Sequence, residues 1–287
     1  MHRLLRHAFA AALVLALGAI AGHAQGISGS QRGEIEKIIR EYLLANPEVL
    51  QDAMNELEKR QAAAEAAKHQ ATIKDHAEQL FNSKRHVVVG NPQGDVTFVE
   101  FFDYNCGYCK RAMADMFDLM KDDPKLKVVL KEFPVLGPGS IEAAKVAVAV
   151  RMQDRTGKKY LDFHQKLLGG RGQADKAHAM AAAKDVGIDM ARLERDLASD
   201  EINRSLEESF KLAEKLGLNG TPSYVIGDNV VVGAVGLAAL KEKINTARCG
   251  KASAAAISAK VGTRINSPAI STVRPRGKRG PSSLAKS

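Results

Sequence analysis

The chain has few cysteines, and their positions argue against a zinc site. Only Cys106, Cys109 and Cys249 occur among the 287 residues. A structural zinc ion takes about four cysteine or histidine ligands. Cys249 lies far along the sequence from the other two cysteines, and no His-x-x-x-His pair supplies the missing ligands. The sequence therefore predicts no metal and no cofactor at the Cys106–Cys109 pair.

Acidic residues are absent from the end of the chain. Residues 250–287 contain eight Lys or Arg and no Asp or Glu, so much of the net charge of +9 belongs to this tail. The stretch 25–249 is close to neutral, which argues against a nucleic-acid-binding face on the folded part. The tail is rich in Ala, Ser, Pro and Gly, a composition typical of disorder.

The N-terminal apolar run is too short for a comfortable membrane span. It extends from Phe9 to Ile20, whereas a spanning helix takes about 20 apolar residues. Arg3 and Arg6 precede the run, and small residues follow it up to Ala24. This pattern predicts a secretory signal over residues 1–24, with an uncleaved membrane anchor as the alternative. Export would place the protein in a compartment where disulfides form and persist.

A strand followed by a helix surrounds the cysteine pair. The apolar run Val96–Phe102 predicts a buried strand, and helical spacing resumes directly after the turn. Cys106 would thus lie where a helix begins, where unpaired amides and the helix dipole favour its thiolate. Cys109 would follow one turn later, as expected for a nucleophile and a resolving thiol. A purely structural bridge is the alternative, although one rarely closes so short a loop at a helix start.

The remaining pattern is that of an α/β domain interrupted by helices. Residues 86–89 and 126–133 predict further strands, the second covered on both faces. Residues 140–217 read as helices throughout, residues 225–232 as a hairpin, and residues 237–247 as a closing helix.

Two motifs carry a resemblance to a known family. EFFDYNCGYCK around the cysteines and NGTPSYVIG downstream resemble the DsbA-class thioredoxin-fold thiol oxidoreductases, and especially the branch of ScsC-type periplasmic disulfide isomerases. The resemblance covers residues 35–249. It implies an α/β thioredoxin fold with a helical insertion, preceded by an all-α N-terminal oligomerisation segment.

The resemblance also implies a set of site residues. Cys106 and Cys109 would form the redox-active disulfide, and Pro222 would follow a cis peptide bond that exposes the backbone of Thr221 to an extended substrate. Gly107 and Tyr108 would contact the substrate and tune the pair. Two further residues are expected to assist catalysis: Glu100, a buried acid that relays a proton for Cys109, and Lys131, its charge partner on the neighbouring strand. A water-exposed Glu100 at a sheet edge is the alternative.

The N-terminal helices are expected to drive self-association. Apolar residues recur at helical spacing from Ile35 to Leu57 with no evident partner, and an alanine-rich stretch follows. The ScsC-type branch implies a homotrimer formed through residues 30–82, whereas packing of these helices on the catalytic domain is the alternative. The expected organisation is a signal peptide (1–24), a helical stalk (25–82), a catalytic domain (83–249) and a basic tail (250–287).

These features predict a periplasmic thiol–disulfide oxidoreductase that acts as an isomerase or reductase. Its partners would be unfolded or mis-oxidised exported proteins and a DsbB- or DsbD-like membrane redox partner. A monomeric DsbA-like dithiol oxidase is one alternative. A copper(I)-binding protein is another alternative, because paired thiolates are soft ligands. Measuring copper stoichiometry and insulin-reductase activity would distinguish a copper-binding protein from an oxidoreductase. A surface structural or adhesive protein would not need either cysteine.

Deleting residues 251–287 should leave the free energy of unfolding unchanged within about 0.5 kcal/mol, because the tail offers little apolar surface to bury. Chemical denaturation of both chains measures this. A larger loss would show that the domain extends beyond Gly250.

Overall fold

The computed structural model describes residues 28–154 and 156–250. The expected signal peptide (1–24) and the basic tail after Gly250 lie outside the described residues. Within the described part of the chain, no helix has the length and apolar character that crossing a membrane would take.

Helices and strands follow one another in the order that the sequence patterns indicate. In chain order they are α1 (Gly29–Ala45), α2 (Glu48–Asp75), α3 (Ala77–Phe81), β1 (Val87–Gly90), β2 (Val96–Phe102), α4 (Gly107–Asp122), β3 (Leu126–Glu132), α5 (Pro138–Gln153), α6 (Lys158–Gly169), α7 (Lys176–Asp185), α8 (Met190–Leu197), α9 (Asp200–Lys215), β4 (Ser223–Ile226), β5 (Asn229–Val232) and α10 (residues 237–250).

The strands form one five-stranded sheet in the order β1-β3-β2-β4-β5. The two central strands, β2 and β3, run parallel and are joined through α4, while the other neighbours pair antiparallel. Nearly every residue of β2 and β3 is buried. This burial explains their continuous apolar sequences, because a strand that is covered on both faces has no solvent side to alternate with.

One face of the sheet carries the larger apolar core. Phe98 and Phe102 of β2 pack there with buried residues of α4, the inserted helices and α10, including Met116, Phe163 and Leu240. The insertion between β3 and β4 consists of α5 to α9 among the described residues. The predicted helical block at residues 140–217 is therefore confirmed.

The opposite face of the sheet carries a smaller core that includes residues from before β1. Ile73 and Leu80 are buried there against Val99, Phe101 and Val129. Burying an aliphatic side chain of this size contributes about 1.5–3 kcal/mol. The end of α2 and the short α3 are thus part of the same hydrophobic core as the sheet.

The boundary expected between residues 82 and 83 lies too late in the sequence. The chain divides into two compact units that meet between Ala64 and Glu65, so residues 65–82 belong with the sheet. This stretch of the sequence has few apolar residues at helical spacing. Two of them, Ile73 and Leu80, are nevertheless buried against the sheet.

The N-terminal unit has an apolar surface of its own. Ser28 begins α1 through a capping box with Gln31, in which each side chain bonds the other residue's backbone amide. No residue of α1 is buried. The large apolar side chains that this unit exposes are Ile35, Ile38, Ile39, Tyr42, Leu44, Leu50, Met54 and Leu57.

Leu80→Ala should lower the free energy of unfolding by about 2–5 kcal/mol, because it leaves a cavity between α3 and the sheet. Leu136→Ala is the matched control: its side chain is half exposed, so we expect a change within about 0.5 kcal/mol. Denaturant titration of the three proteins decides the point, and equal effects would mean that α3 is not part of this core.

Candidate active site

Cys106 lies at the first position before helix α4 and acts as its N-cap. Its backbone is extended, and its Sγ atom accepts a hydrogen bond from the amide of Cys109 at 3.2 Å. Its thiol also contacts the carbonyl oxygen of Thr221 at 3.2 Å. The unpaired amides at a helix start stabilise a negative charge on such an atom. The strand-turn-helix geometry that the sequence indicated is therefore present.

The two cysteines have opposite acidities. A hydrogen bond from the Cys109 thiol is the main reason that the pKa of Cys106 falls to about 6. Burial opposes the shift, while the Thr221 side chain and the backbone amides of Cys109 and Tyr108 add to it. The bond to Cys106, then burial, then the charge of Glu100 raise the pKa of Cys109 above its ordinary value. One thiolate thus lies beside one protonated thiol, which suits a nucleophile with a resolving partner.

The Thr221–Pro222 segment closes the other side of the site. The peptide bond between these two residues is cis, as the resemblance implied. Pro222 is buried and Thr221 is half-buried directly before β4. The backbone of Thr221 therefore lies beside the Sγ atom of Cys106, where an extended chain could pair with it.

Glu100 is buried on the face of the sheet that carries α4. It is 2% exposed in the middle of β2, which excludes the alternative of an edge position in water. Burial first, then the negative charges of Cys106 and Asp115, raise the pKa of Glu100 to about 8. A carboxyl group with a pKa near neutrality, close to Cys109, can take and return a proton.

Lys131 does not pair with Glu100, which corrects the expectation from the sequence. In the parallel register Lys131 lies opposite Phe101 and Glu100 lies opposite Leu130. Because neighbouring residues of a strand point to opposite faces, the two side chains lie on different sides of the sheet. Lys131 donates instead to the carbonyl of Gln79 at 2.8 Å and pairs with Glu208 at 3.7 Å. It stabilises the docking of α3 and has no place in the site.

The two residues between the cysteines, Gly107 and Tyr108, have different surroundings. Gly107 has open space around the position of a Cβ atom, so no close contact requires glycine there. Tyr108 is exposed, and the guanidinium of Arg111 lies 4.4 Å from its ring centre. This cation–π contact holds the aromatic ring at the mouth of the site.

Asp103 and Asn105, in the turn between β2 and α4, organise the site. The buried Asp103 carboxylate accepts bonds from the amides of Val135 and Leu136 and from the hydroxyl of Ser140. The Asn105 side chain donates to the carbonyl oxygen of Ala174 and accepts from its backbone amide. These bonds tie the turn before Cys106 to the loops on either side of it. The Asp-x-Asn spacing was the available signal, but its partners are distant in sequence.

Among the described residues, no cluster of three or more His, Cys, Asp or Glu side chains could hold a metal ion. What the site assembles is a stabilised thiolate, a protonated thiol, a buried carboxyl group and an accessible backbone segment. Such a set is suited to exchange between thiols and disulfides.

Two families of known proteins match separate parts of the chain. Residues 97–245 match the DSBA-like thioredoxin domain. Residues 31–64 match the copper resistance protein ScsC N-terminal domain.

Similar proteins include solved structures and curated relatives. A thioredoxin-like oxidoreductase from Silicibacter pomeroyi DSS-3 is 44% identical with a TM-score of 0.56, covering 60% of this chain and 96% of that one. A linker-deletion mutant of Proteus mirabilis ScsC is 26% identical with a TM-score of 0.59, covering 79% and 99%. Disulfide bond formation protein D of Bacillus subtilis is 27% identical over 180 residues, 58% of this chain and 79% of that protein. The match to the Na(+)/H(+) antiporter NhaA 1 of Salinispora arenicola, 27% identical over 168 residues, covers 58% of this chain but spans only 25% of the antiporter.

Cys109→Ala should raise the pKa of Cys106, because it removes the hydrogen bond that contributes most to the low value of about 6. Cys109→Ser, which retains a donor, should raise it less. Thiolate absorbance titration in a Cys249→Ser background measures both, and the parent with Cys249→Ser alone is the reference. A Cys106 pKa at the ordinary value of about 8.5 in that parent would contradict the stabilised thiolate.

Proposed function

Since the chain belongs to the DSBA-like thioredoxin domain family, we propose that it is a thiol–disulfide oxidoreductase with Cys106 as its nucleophile. The predicted fold class, a thioredoxin fold with a helical insertion behind an all-helical N-terminal segment, is confirmed. The single observation that carries the proposal is the position of the Cys106 sulfur, between the start of α4 and the backbone of Thr221.

The reaction follows from the unequal acidities of the two thiols. The Cys106 thiolate attacks a substrate disulfide, forms a mixed disulfide and releases one substrate thiolate. If that thiolate attacks another disulfide of the substrate, and the thiolate released there displaces Cys106 from the mixed disulfide, the substrate is isomerised and Cys106 is regenerated without net oxidation. If Cys109 attacks Cys106 instead, the substrate leaves reduced and the Cys106–Cys109 disulfide forms.

Glu100 assists the outcome in which Cys109 attacks Cys106. Cys109 is protonated and buried, so it must lose a proton before it can attack. Glu100 lies near it with a pKa of about 8, so its ionised form can take that proton and its neutral form can return it when the disulfide opens.

The substrate would lie against Thr221 and the apolar side chains around the site. Tyr108, Val135 and Leu136 are exposed, and the loop that carries the last two is bonded to Asp103. An extended, unfolded segment offers both a free backbone and apolar side chains. We therefore propose unfolded or mis-oxidised exported proteins as substrates, a periplasmic location, and a DsbB- or DsbD-like membrane partner.

We further propose that the N-terminal unit joins three chains and that this assembly favours isomerisation. The unit exposes an apolar set from Ile35 to Leu57, and residues 31–64 match the ScsC N-terminal domain. Burying an Ile or Leu contributes about 1.5–3 kcal/mol, so several such residues per chain can outweigh an association cost of about 4–15 kcal/mol. Several sites in one assembly can rearrange one substrate in successive encounters.

A chain that begins at Glu65 should be a monomer that reduces insulin but has lost most activity on scrambled disulfides. Light scattering and the two activity assays, compared with residues 25–287, test this. The chain must begin at Glu65 rather than after residue 82, because Ile73 and Leu80 are buried against the sheet.

A single substitution gives the sharper version of this test. Ile38→Asp places a charge in the exposed apolar set and should dissociate the assembly. Glu36→Gln alters an exposed polar residue of the same helix and should leave the mass unchanged. A monomeric parent would leave only the simpler role of a monomeric oxidase. An Ile38→Asp protein that stays assembled would show that the exposed apolar set does not join the chains.

A further inference from the structure

A buried tyrosine lies beside the proposed proton carrier. Tyr224 of β4 is directly opposite Glu100 of β2 in the antiparallel register. Residues paired in this way point to the same face, with Cβ atoms about 4.5–5.5 Å apart. Tyr224 is 1% exposed, and its ring packs on Phe98 with ring centres 5.0 Å apart. Its hydroxyl group is therefore held on the face of the sheet beneath α4.

The hydroxyl group of Tyr224 is buried without a hydrogen-bond partner among the described residues. Leaving such a group unpaired costs free energy, and buried polar atoms generally have a protein or water partner. A phenylalanine would fill the same apolar space without this cost. The hydroxyl group therefore requires an explanation that packing does not provide.

The charges around this hydroxyl group indicate its partner. Burial first, then the negative charges of Glu100, Cys109, Asp115 and Cys106, raise the pKa of Tyr224 above its ordinary value. The phenol thus stays protonated and can donate a hydrogen bond. Glu100 is the nearest group in the register that gains from such a donor when it is ionised.

We propose that one water molecule links the Tyr224 hydroxyl to the Glu100 carboxylate and so positions Glu100 to take the proton of Cys109. This role rests on the proposed function, because it concerns the step in which Cys109 attacks the mixed disulfide. Tyr224 acts through Glu100 and is a positioning residue.

The step balances within the residues named. The thiol proton of Cys109 passes to the Glu100 carboxylate, and the Cys109 sulfur then attacks the Sγ atom of Cys106. The bond between Cys106 and the substrate sulfur breaks, and the substrate leaves as a thiolate. The proton on Glu100 is then returned to solvent; the charge of Asp115, half-buried on α4, acts on Glu100.

The sign of the pH dependence follows from the groups that face Glu100. A donor to the carboxylate stabilises its charged form, so removing the Tyr224 hydroxyl should raise the pKa of Glu100 above about 8. Removing the negative charge of Asp115 should lower it. Other titratable groups on this face include Cys106 and Cys109, Tyr104 after β2, Glu132 of β3, and Tyr160 and His164 of α6. Asp118 of α4 acts on Asp115, and Lys241 of α10 bonds Asp122.

The test separates the two chemical steps in one reaction. The reduced protein, in a Cys249→Ser background, is mixed with equimolar aromatic disulfide that releases coloured thionitrobenzoate. The first release reports attack by Cys106, and the second reports attack by Cys109 on the resulting mixed disulfide. Stopped-flow absorbance at a series of pH values gives a midpoint for the second release.

Tyr224→Phe should move that midpoint up by about one pH unit, since a bond to a charged group is worth about that much, and should slow the second release about tenfold below the midpoint. Asp115→Asn, a surface change, should move the midpoint down. The shift caused by Tyr224→Phe should vanish in a Glu100→Gln background, since Tyr224 acts through Glu100.

Tyr160→Phe is the matched control. It also removes a buried tyrosine hydroxyl beside a buried carboxyl group, Glu132, but outside this site, so the midpoint should not change. An unchanged midpoint in folded Tyr224→Phe overturns the inference and leaves the proposed function intact. A Tyr224→Phe shift that persists in the Glu100→Gln background overturns it as well. Failure of the first release from Cys106 overturns both.

Discussion

Helix α4 begins at Gly107, so its first unpaired amides point toward the sulfur of Cys106. Fixed backbone dipoles stabilise a thiolate at this position in place of solvent. The Cys109 thiol adds a hydrogen bond, which exists only while both cysteines are reduced. The rest of the site depends on this arrangement. Asp103 and Asn105 hold the turn that leads into the helix, and Thr221 approaches from the far side. Stabilising the thiolate stabilises the reduced form and makes the disulfide a better oxidant.

The sheet beneath the helix separates two kinds of buried charge by the alternation of its side chains. Glu100 and Lys131 are both almost fully buried on adjacent strands, but they point to opposite faces. Burial first, then the negative charges of Cys106 and Asp115, raise the pKa of Glu100 to about 8. Lys131 bonds the carbonyl of Gln79 in α3 and pairs with Glu208 in α9, so its partners tie two helices to this face of the sheet. The same degree of burial therefore leaves a carboxyl group with a raised pKa on one face and anchors two helices on the other.

Much of the fold was predictable because its signals are local. The apolar run Val96–Phe102 predicted β2 with the bounds that the structure has. The helical spacing after Cys106 predicted that α4 begins there. The paired motifs around Cys106 and Pro222 predicted which distant segments meet. The boundary near residue 82 was misplaced because the stripe of Ile73 and Leu80 is too short to reveal that it packs against the sheet. Asp103 resembled any turn aspartate, since its partners lie more than thirty residues away.

The sequence by itself determined the chemistry: a Cys-Gly-Tyr-Cys pair at a helix start, an acid inside a buried strand, and helices whose apolar residues recur without a partner. These properties depend on neighbours along the chain, and local spacing reports them. Only the tertiary structure decided which face of the sheet each buried charge occupies, that Tyr224 lies opposite Glu100, and that residues 65–82 belong with the sheet. Strand register and packing between distant segments decide these points. Displacing a strand by one residue would turn each of its side chains to the other face of the sheet.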